Sequence, residues 1–117
     1  MATERPRLRV GLVGTGFLGK THVFGFASAE RVFDLPFAIE LNTVADRTEE
    51  LAVAAARQFG FGKASGDWRC VVEDPQIDVI DITAPNALHR EIALAAIRGG
   101  KHVYCEKPLA PTSAEAR

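Results

Sequence analysis

Apolar positions along this chain follow two rhythms that take turns. Compact apolar runs at residues 8–13 and 79–83 read as strands, the second of a type buried on both faces. Elsewhere, four-residue spacings put apolar side chains on one helical face, as with Leu51, Ala55 and Phe59, or Leu88, Ile92 and Ala96. Read in order, the pattern predicts a strand at 8–13, a helix from Phe17 to about Glu30, and a strand at 39–45 with Ile39, Leu41 and Ala45 apolar. A second helix follows, favoured at its start by Thr48, Glu49 and Glu50 and stopped by Gly60. A short strand at 61–64, a short helix at 67–74 ended by Pro75, and the strand at 79–83 come next. The chain then turns into a helix from about Ala87, closed by Gly99 and Gly100, and a last strand at 101–105.

Strands alternating with helices argue for one α/β domain over residues 1–117, built on a parallel sheet of about five strands. Composition agrees: 47% hydrophobic and 25% charged residues are the proportions of an ordinary globular domain. A formal net charge of -1 gives no electrostatic case for nucleic acid or an anionic membrane as partner. Cys70 and Cys105 stand far apart and form no Cys-x-x-Cys, so neither a metal site nor a disulfide framework is expected. No apolar run approaches a membrane span, and residues 1–7 are polar with no signal-peptide core, which makes the cytoplasm the expected location.

The chemistry starts where the first strand ends. Gly14-Thr15-Gly16-Phe17-Leu18-Gly19 is a Gly-x-Gly-x-x-Gly between a predicted strand and a predicted helix. Gly14 permits the tight turn, Gly16 lets backbone approach a pyrophosphate, and Gly19 lets helix and strand pack closely. The anion would sit on unpaired N–H groups at the helix N-terminus. Asp46, just after the second strand, is the matching acid, able to accept bonds from a ribose 2′- and 3′-hydroxyl pair and to repel a 2′-phosphate. That favours NAD, with NADP possible because the Arg47 guanidinium could pair with the phosphate or stack on adenine. The plain alternative makes Asp46 a helix cap and Arg47 a solvated side chain. Gly19 and Asp46 are farther apart than usual, and the excess is placed in a loop at 33–37.

Two more segments fall at strand ends, where open α/β sheets hold ligands. One is Thr83-Ala84-Pro85-Asn86-Ala87-Leu88-His89, and the other is Cys105-Glu106-Lys107-Pro108. With the glycine turn, Ala45-Asp46-Arg47 and the Gly-Gly-Lys-His-Val of residues 99–103, these motifs stand in the order of one family. The chain resembles the N-terminal domain of the Gfo/Idh/MocA oxidoreductases, related to glucose-fructose oxidoreductase and inositol dehydrogenase, over nearly its whole length, which implies a doubly wound Rossmann sheet of five parallel strands ordered 3-2-1-4-5. Ala84 between Thr83 and Pro85 is a minor departure from that family's pattern.

The resemblance implies a dehydrogenase moving hydride between nicotinamide and a sugar, polyol or cyclitol hydroxyl, homo-oligomeric when full-length. It implies a second domain that binds the sugar and supplies an acid/base residue, so that residues 1–117 are the cofactor half of a longer protein. Lys107 would be the catalytic lysine, a buried ammonium bonded to the reacting oxygen and relaying its proton. A cis Pro108 would fix its aim, and Glu106 would orient Lys107 or meet the nicotinamide ribose. Thr83, Pro85, Asn86 and His89 would lie along the cofactor, although Asn86 also suits a turn and His89 a solvated helix position. A non-catalytic dinucleotide-sensing module on the same fold is the alternative. His22 and His102 read as structural, and Asp81, polar inside a strand expected to be apolar, has no explanation at this level.

Overall fold

The computed structural model describes residues 5–117, so the polar start at residues 1–4 lies outside the described residues. Five strands, β1 (Arg7–Val13), β2 (Ala38–Ala45), β3 (Lys63–Ser65), β4 (Val79–Ile82) and β5 (His102–Cys105), form one parallel sheet in the order β3-β2-β1-β4-β5. The helices are α1 (Phe17–Val32), α2 (Glu49–Phe59), α3 (Trp68–Glu73) and α4 (His89–Arg98), with a single 3₁₀ turn at Asn86–Leu88 before α4. The fold class is the one expected from the alternation of patterns, and the strand order is the one implied by the family resemblance.

Neighbouring strand residues point to opposite faces and build two cores. Leu12 and Val44 pack with Val23 of α1, Ala55 of α2 and Phe61, while Val13 and Ala45 pack with Val71, Ile80, Ile82, Ile92 and Ala96 beneath α3 and α4. Local chemistry sets the ends. The Thr48 hydroxyl accepts from the Leu51 N–H at 3.2 Å to start α2, and Gly60 closes it at φ 85°, a conformation that suits glycine. The Asp67 carboxylate caps α3 by accepting from the Arg69 N–H at 3.0 Å.

Two expectations shift in detail. The third strand is Lys63–Ser65, paired with Thr43, Val44 and Ala45, and not residues 61–64. Phe61 is apolar because it is buried in the α1–α2 core, so its side chain reports packing and not strand position. Helix α1 runs on to Val32, and the loop at 33–37 begins with the Phe33 N–H donating to the Ala29 carbonyl. Among the described residues, no helix is long and apolar enough to cross a membrane.

Candidate functional site

Strand order reverses beside β1, with β2 on one flank and β4 on the other, so their C-terminal ends leave a crevice between them. Backbone bonds align the rim: Gly14 N–H donates to the Ala45 carbonyl, and Thr83 N–H to the Val13 carbonyl, both at 2.9 Å. The cleft there has a volume of about 970 Å³, near the upper end of small-molecule sites at roughly 300–1,000 Å³. It gathers Gly14, Thr15, Gly16, Phe17, Leu18, Asp46, Arg47, Thr83, Pro85 and Asn86 from three separate chain segments. A smaller hollow between α1 and β2, near Phe26, Arg31 and Ile39, contains none of these groups.

The three glycines have different physical roles. Gly14 has φ 103°, and a Cβ on it would come within 2.6 Å of the Thr83 carbonyl carbon and the Ala84 nitrogen. A Cβ on Gly19 would overlap the Gly14 carbonyl oxygen and lie 3.2 Å from the Thr83 hydroxyl. On Gly16 it would meet nothing within 4 Å, so only the space of the cleft calls for glycine there. Helix α1 starts at Gly16 with no side-chain cap and no acidic residue in its first turn. Its first N–H groups are therefore open to an anion, with the positive end of the helix dipole behind them.

The Asp46 carboxylate lies against this turn, accepting from the Thr15 N–H at 3.2 Å, from the Thr15 hydroxyl, and from the Arg47 N–H at 2.7 Å. The cap of α2 is Thr48, so the helix-cap explanation of Asp46 fails. The far wall was not foreseen: Gly66, Asp67, Trp68 and Arg69 line it, with the Arg69 guanidinium 4.9 Å from the Trp68 ring centroid. Their only sequence signal is placement just after a strand end.

The remaining expected site residues lie outside the cleft lining. Gly19 is buried beneath the turn. His89 is 1% exposed, its Nδ1 2.7 Å from the Pro108 carbonyl oxygen and its Nε2 2.7 Å from the Ala84 carbonyl oxygen. It is neither a solvated helix histidine nor open toward the cleft; it ties the segment after β4 to the segment after β5. The Lys107–Pro108 peptide is cis. Lys107 is exposed in these 117 residues, where a buried ammonium was expected.

His22, expected to be structural, joins the residue that had no explanation. Its Nδ1 lies 2.8 Å and 2.9 Å from the two carboxylate oxygens of Asp81, and its Nε2 2.8 Å from Glu106 Oε2. Asp81 is fully buried on the α1 side of β4. Burial pushes its pKa up to about 6, against the opposing hydrogen bond and charge of His22 and with help from the Glu106 charge. Burial pulls His22 down, but hydrogen bonds to Asp81 and Glu106 outweigh it and leave the pKa raised. The bond from His22 and the Lys107 N–H hold Glu106 below the ordinary carboxylate range. A single Asp in an otherwise apolar strand was the available signal, and α1 supplied its partner from 59 positions away.

The sequence pattern described as an oxidoreductase family with an NAD-binding Rossmann fold matches residues 8–117. The chain is 47% identical over 111 residues to levoglucosan dehydrogenase of Pseudarthrobacter phenanthrenivorans, covering 94% of this chain and 28% of that protein. It is 32% identical over 111 residues to inositol 2-dehydrogenase of Salmonella typhimurium, covering 94% of this chain and 31% of that protein. A solved structure of levoglucosan dehydrogenase in complex with NADH and levoglucosan superposes with a TM-score of 0.91 at 47% identity, over 93% of this chain and 30% of that one. The chain thus spans under a third of the length of each of these relatives.

Proposed function

This chain belongs to the Gfo/Idh/MocA oxidoreductase family, whose NAD-binding Rossmann fold covers residues 8–117, and from that premise we propose that it is the cofactor-holding part of a dehydrogenase acting on a sugar, polyol or cyclitol hydroxyl. The observation that carries the reading is the cleft itself, where an uncapped α1 N-terminus, the open face of Gly16 and the Asp46 carboxylate converge. The first two suit a pyrophosphate, and the third suits the hydroxyls of the adenosine ribose. NAD is the favoured cofactor and NADP the competitor that Arg47 could admit. When bound, the nicotinamide supplies the hydride acceptor.

The protein's own residues do the rest. Phe17, Leu18, Thr83, Pro85 and Asn86 form the walls against which the nicotinamide half would lie, which limits its orientation and excludes water. Lys107 is the catalytic residue: its Nζ ammonium donates to the substrate hydroxyl oxygen, steadies the alkoxide that forms as hydride departs, and relays the hydroxyl proton toward the acid/base residue of the second domain. Glu106 and Pro108 flank and place it, and His89 supports Pro108 through the carbonyl contact. The relatives named for levoglucosan and inositol support a cyclic polyol as substrate. The test is spectrophotometric: the protein carrying this chain, offered NAD and a panel of sugars, anhydrosugars and cyclitols, forms NADH with at least one class. No NADH from any member, despite measurable NAD binding, would overturn the dehydrogenase reading.

A further inference from the structure

We propose that His22 is a positioning residue for Lys107, acting through the carboxylate of Glu106. The inference rests on the catalytic role given to Lys107 above. Four groups from three parts of the chain form one line: Asp81 on β4, His22 on α1, then Glu106 and the Lys107 backbone after β5. Asp81 anchors it, fully buried with both oxygens on His22 Nδ1. At the other end, Glu106 Oε2 takes His22 Nε2 at 2.8 Å and Oε1 accepts the Lys107 N–H at 3.3 Å. The His22 side chain is 9% exposed. The Tyr104 ring stacks on it at 4.9 Å and 22°, and Phe26 meets Tyr104 edge-on at 6.4 Å.

The protonation requirement follows from the geometry. An ionised carboxylate only accepts, so Nε2 must carry a proton toward Glu106. A second proton must lie between Nδ1 and Asp81, or a lone pair would face a buried negative charge. Asp81 from β4, Glu106 after β5 and the Tyr104 hydroxyl-bearing ring from β5 are the titratable groups against His22; Lys107 lies next along the line, and Cys105 feels both carboxylates. With the second proton present, Glu106 is gripped and the Lys107 backbone is fixed at the end of edge strand β5. When one proton leaves, the single remaining N–H goes to Asp81, which has no solvent to turn to, Nε2 then faces Glu106 with a lone pair, and the grip on Glu106 loosens.

The experiment measures kcat, KM and the NAD dissociation constant across pH for the protein carrying this chain, as wild type, His22→Gln and Lys107→Ala. His22→Gln is expected to lower kcat about tenfold to a hundredfold near pH 6, the cost of a small misplacement, with NAD binding unchanged within about twofold. The ratio of wild-type to variant kcat should shrink as pH rises through the raised His22 value, above the ordinary 6.5. A merely structural His22 would give a ratio that does not change with pH, and that outcome overturns the proposal, as does full activity. Full activity of Lys107→Ala overturns the parent reading and this one with it; inactive Lys107→Ala beside fully active His22→Gln removes the His22 role alone. Should His22→Gln not fold, ¹⁵N spectra of histidine-labelled wild type decide. A break in the wild-type kcat profile at the pH where those spectra lose the shared proton supports the proposal, and a kcat profile with no break there overturns it.

Discussion

The Thr83 hydroxyl donates to the Gly14 carbonyl oxygen at 2.8 Å, in a buried bond that joins the end of β4 to the glycine turn after β1. The same Thr83 hydroxyl lies 3.2 Å from the Val13 carbonyl oxygen, so one side chain holds both strand ends at the point where the sheet reverses order. Removing it leaves a buried carbonyl without its partner, which typically costs about 1–3 kcal/mol. Thr83→Val should lower the melting temperature by several degrees and weaken NAD binding in parallel. Calorimetric melts and NAD titrations check both, and an unchanged melt would show that water replaces the hydroxyl.

Gly14→Ala and Gly16→Ala should separate folding from binding. At Gly14 the added Cβ meets backbone at 2.6 Å with φ at 103°, so the expected result is a loss of stability of several kcal/mol, or no folded protein. At Gly16, φ is -74° and the Cβ meets nothing, so stability should hold or rise by roughly 0.4–1 kcal/mol while NAD affinity falls. Melting curves with and without NAD report both effects.

Cofactor preference should depend on Asp46. Hydrogen bonds to a charged group contribute roughly 1.5–3 kcal/mol, so Asp46→Ala should weaken NAD about ten- to a hundredfold and narrow its advantage over NADP. Trp68, on the cleft wall, provides the fluorescence signal for the titration. NADP binding as tight as NAD in wild type, abolished by Arg47→Ala, would make Arg47 the specificity residue instead.

Lys107→Ala should lower kcat by about 10²–10⁴-fold, the usual contribution of general acid–base assistance, with little effect on NAD binding. Lys107→Arg should rescue poorly, because a guanidinium stays protonated and its planar fork differs from an ammonium. Steady-state kinetics beside a binding titration test this. A shared loss of kcat, affinity and melting temperature would indicate a structural lysine.

Stability should carry a pH signature from the buried cluster. Asp81 is raised from 3.8 to about 6, so its contribution is complete below 3.8 and is lost as pH rises through about 6. His22 is raised above 6.5, so its contribution is lost at still higher pH, past that raised value. Glu106 is lowered, so its contribution is present above 4.5 and is lost as pH falls below its depressed value. Thermal melts of wild type should therefore decline from mildly acid toward alkaline pH, and Asp81→Asn should flatten the part of the decline near pH 6. An equal slope in the variant would assign the titration elsewhere.

Much of the site could be read in one dimension because its parts are local. A glycine turn needs six consecutive residues, and Asp46 needs only to follow a strand, so spacing and alternation located both before any contact was known. The segments at residues 83–89 and 105–108 were identifiable as strand-end motifs for the same reason. Their individual roles were less legible. His89 looked like a cofactor ligand or a solvated side chain, and only the approach of Pro108, 19 positions on, shows both ring nitrogens facing backbone carbonyls.

By itself, the sequence determined the alternation of strands and helices and the position of the glycine turn, because hydrophobic periodicity and backbone permissiveness act over a few residues, while the strand order came with the family resemblance. Tertiary structure decided the third strand's register, since Phe61 is apolar for the core and not for the sheet. It also decided the partners of Asp81, His22 and Glu106. A buried carboxylate must find a donor, but nothing local says which one, and the 59- and 84-residue separations are closed only when α1 packs across the ends of β4 and β5.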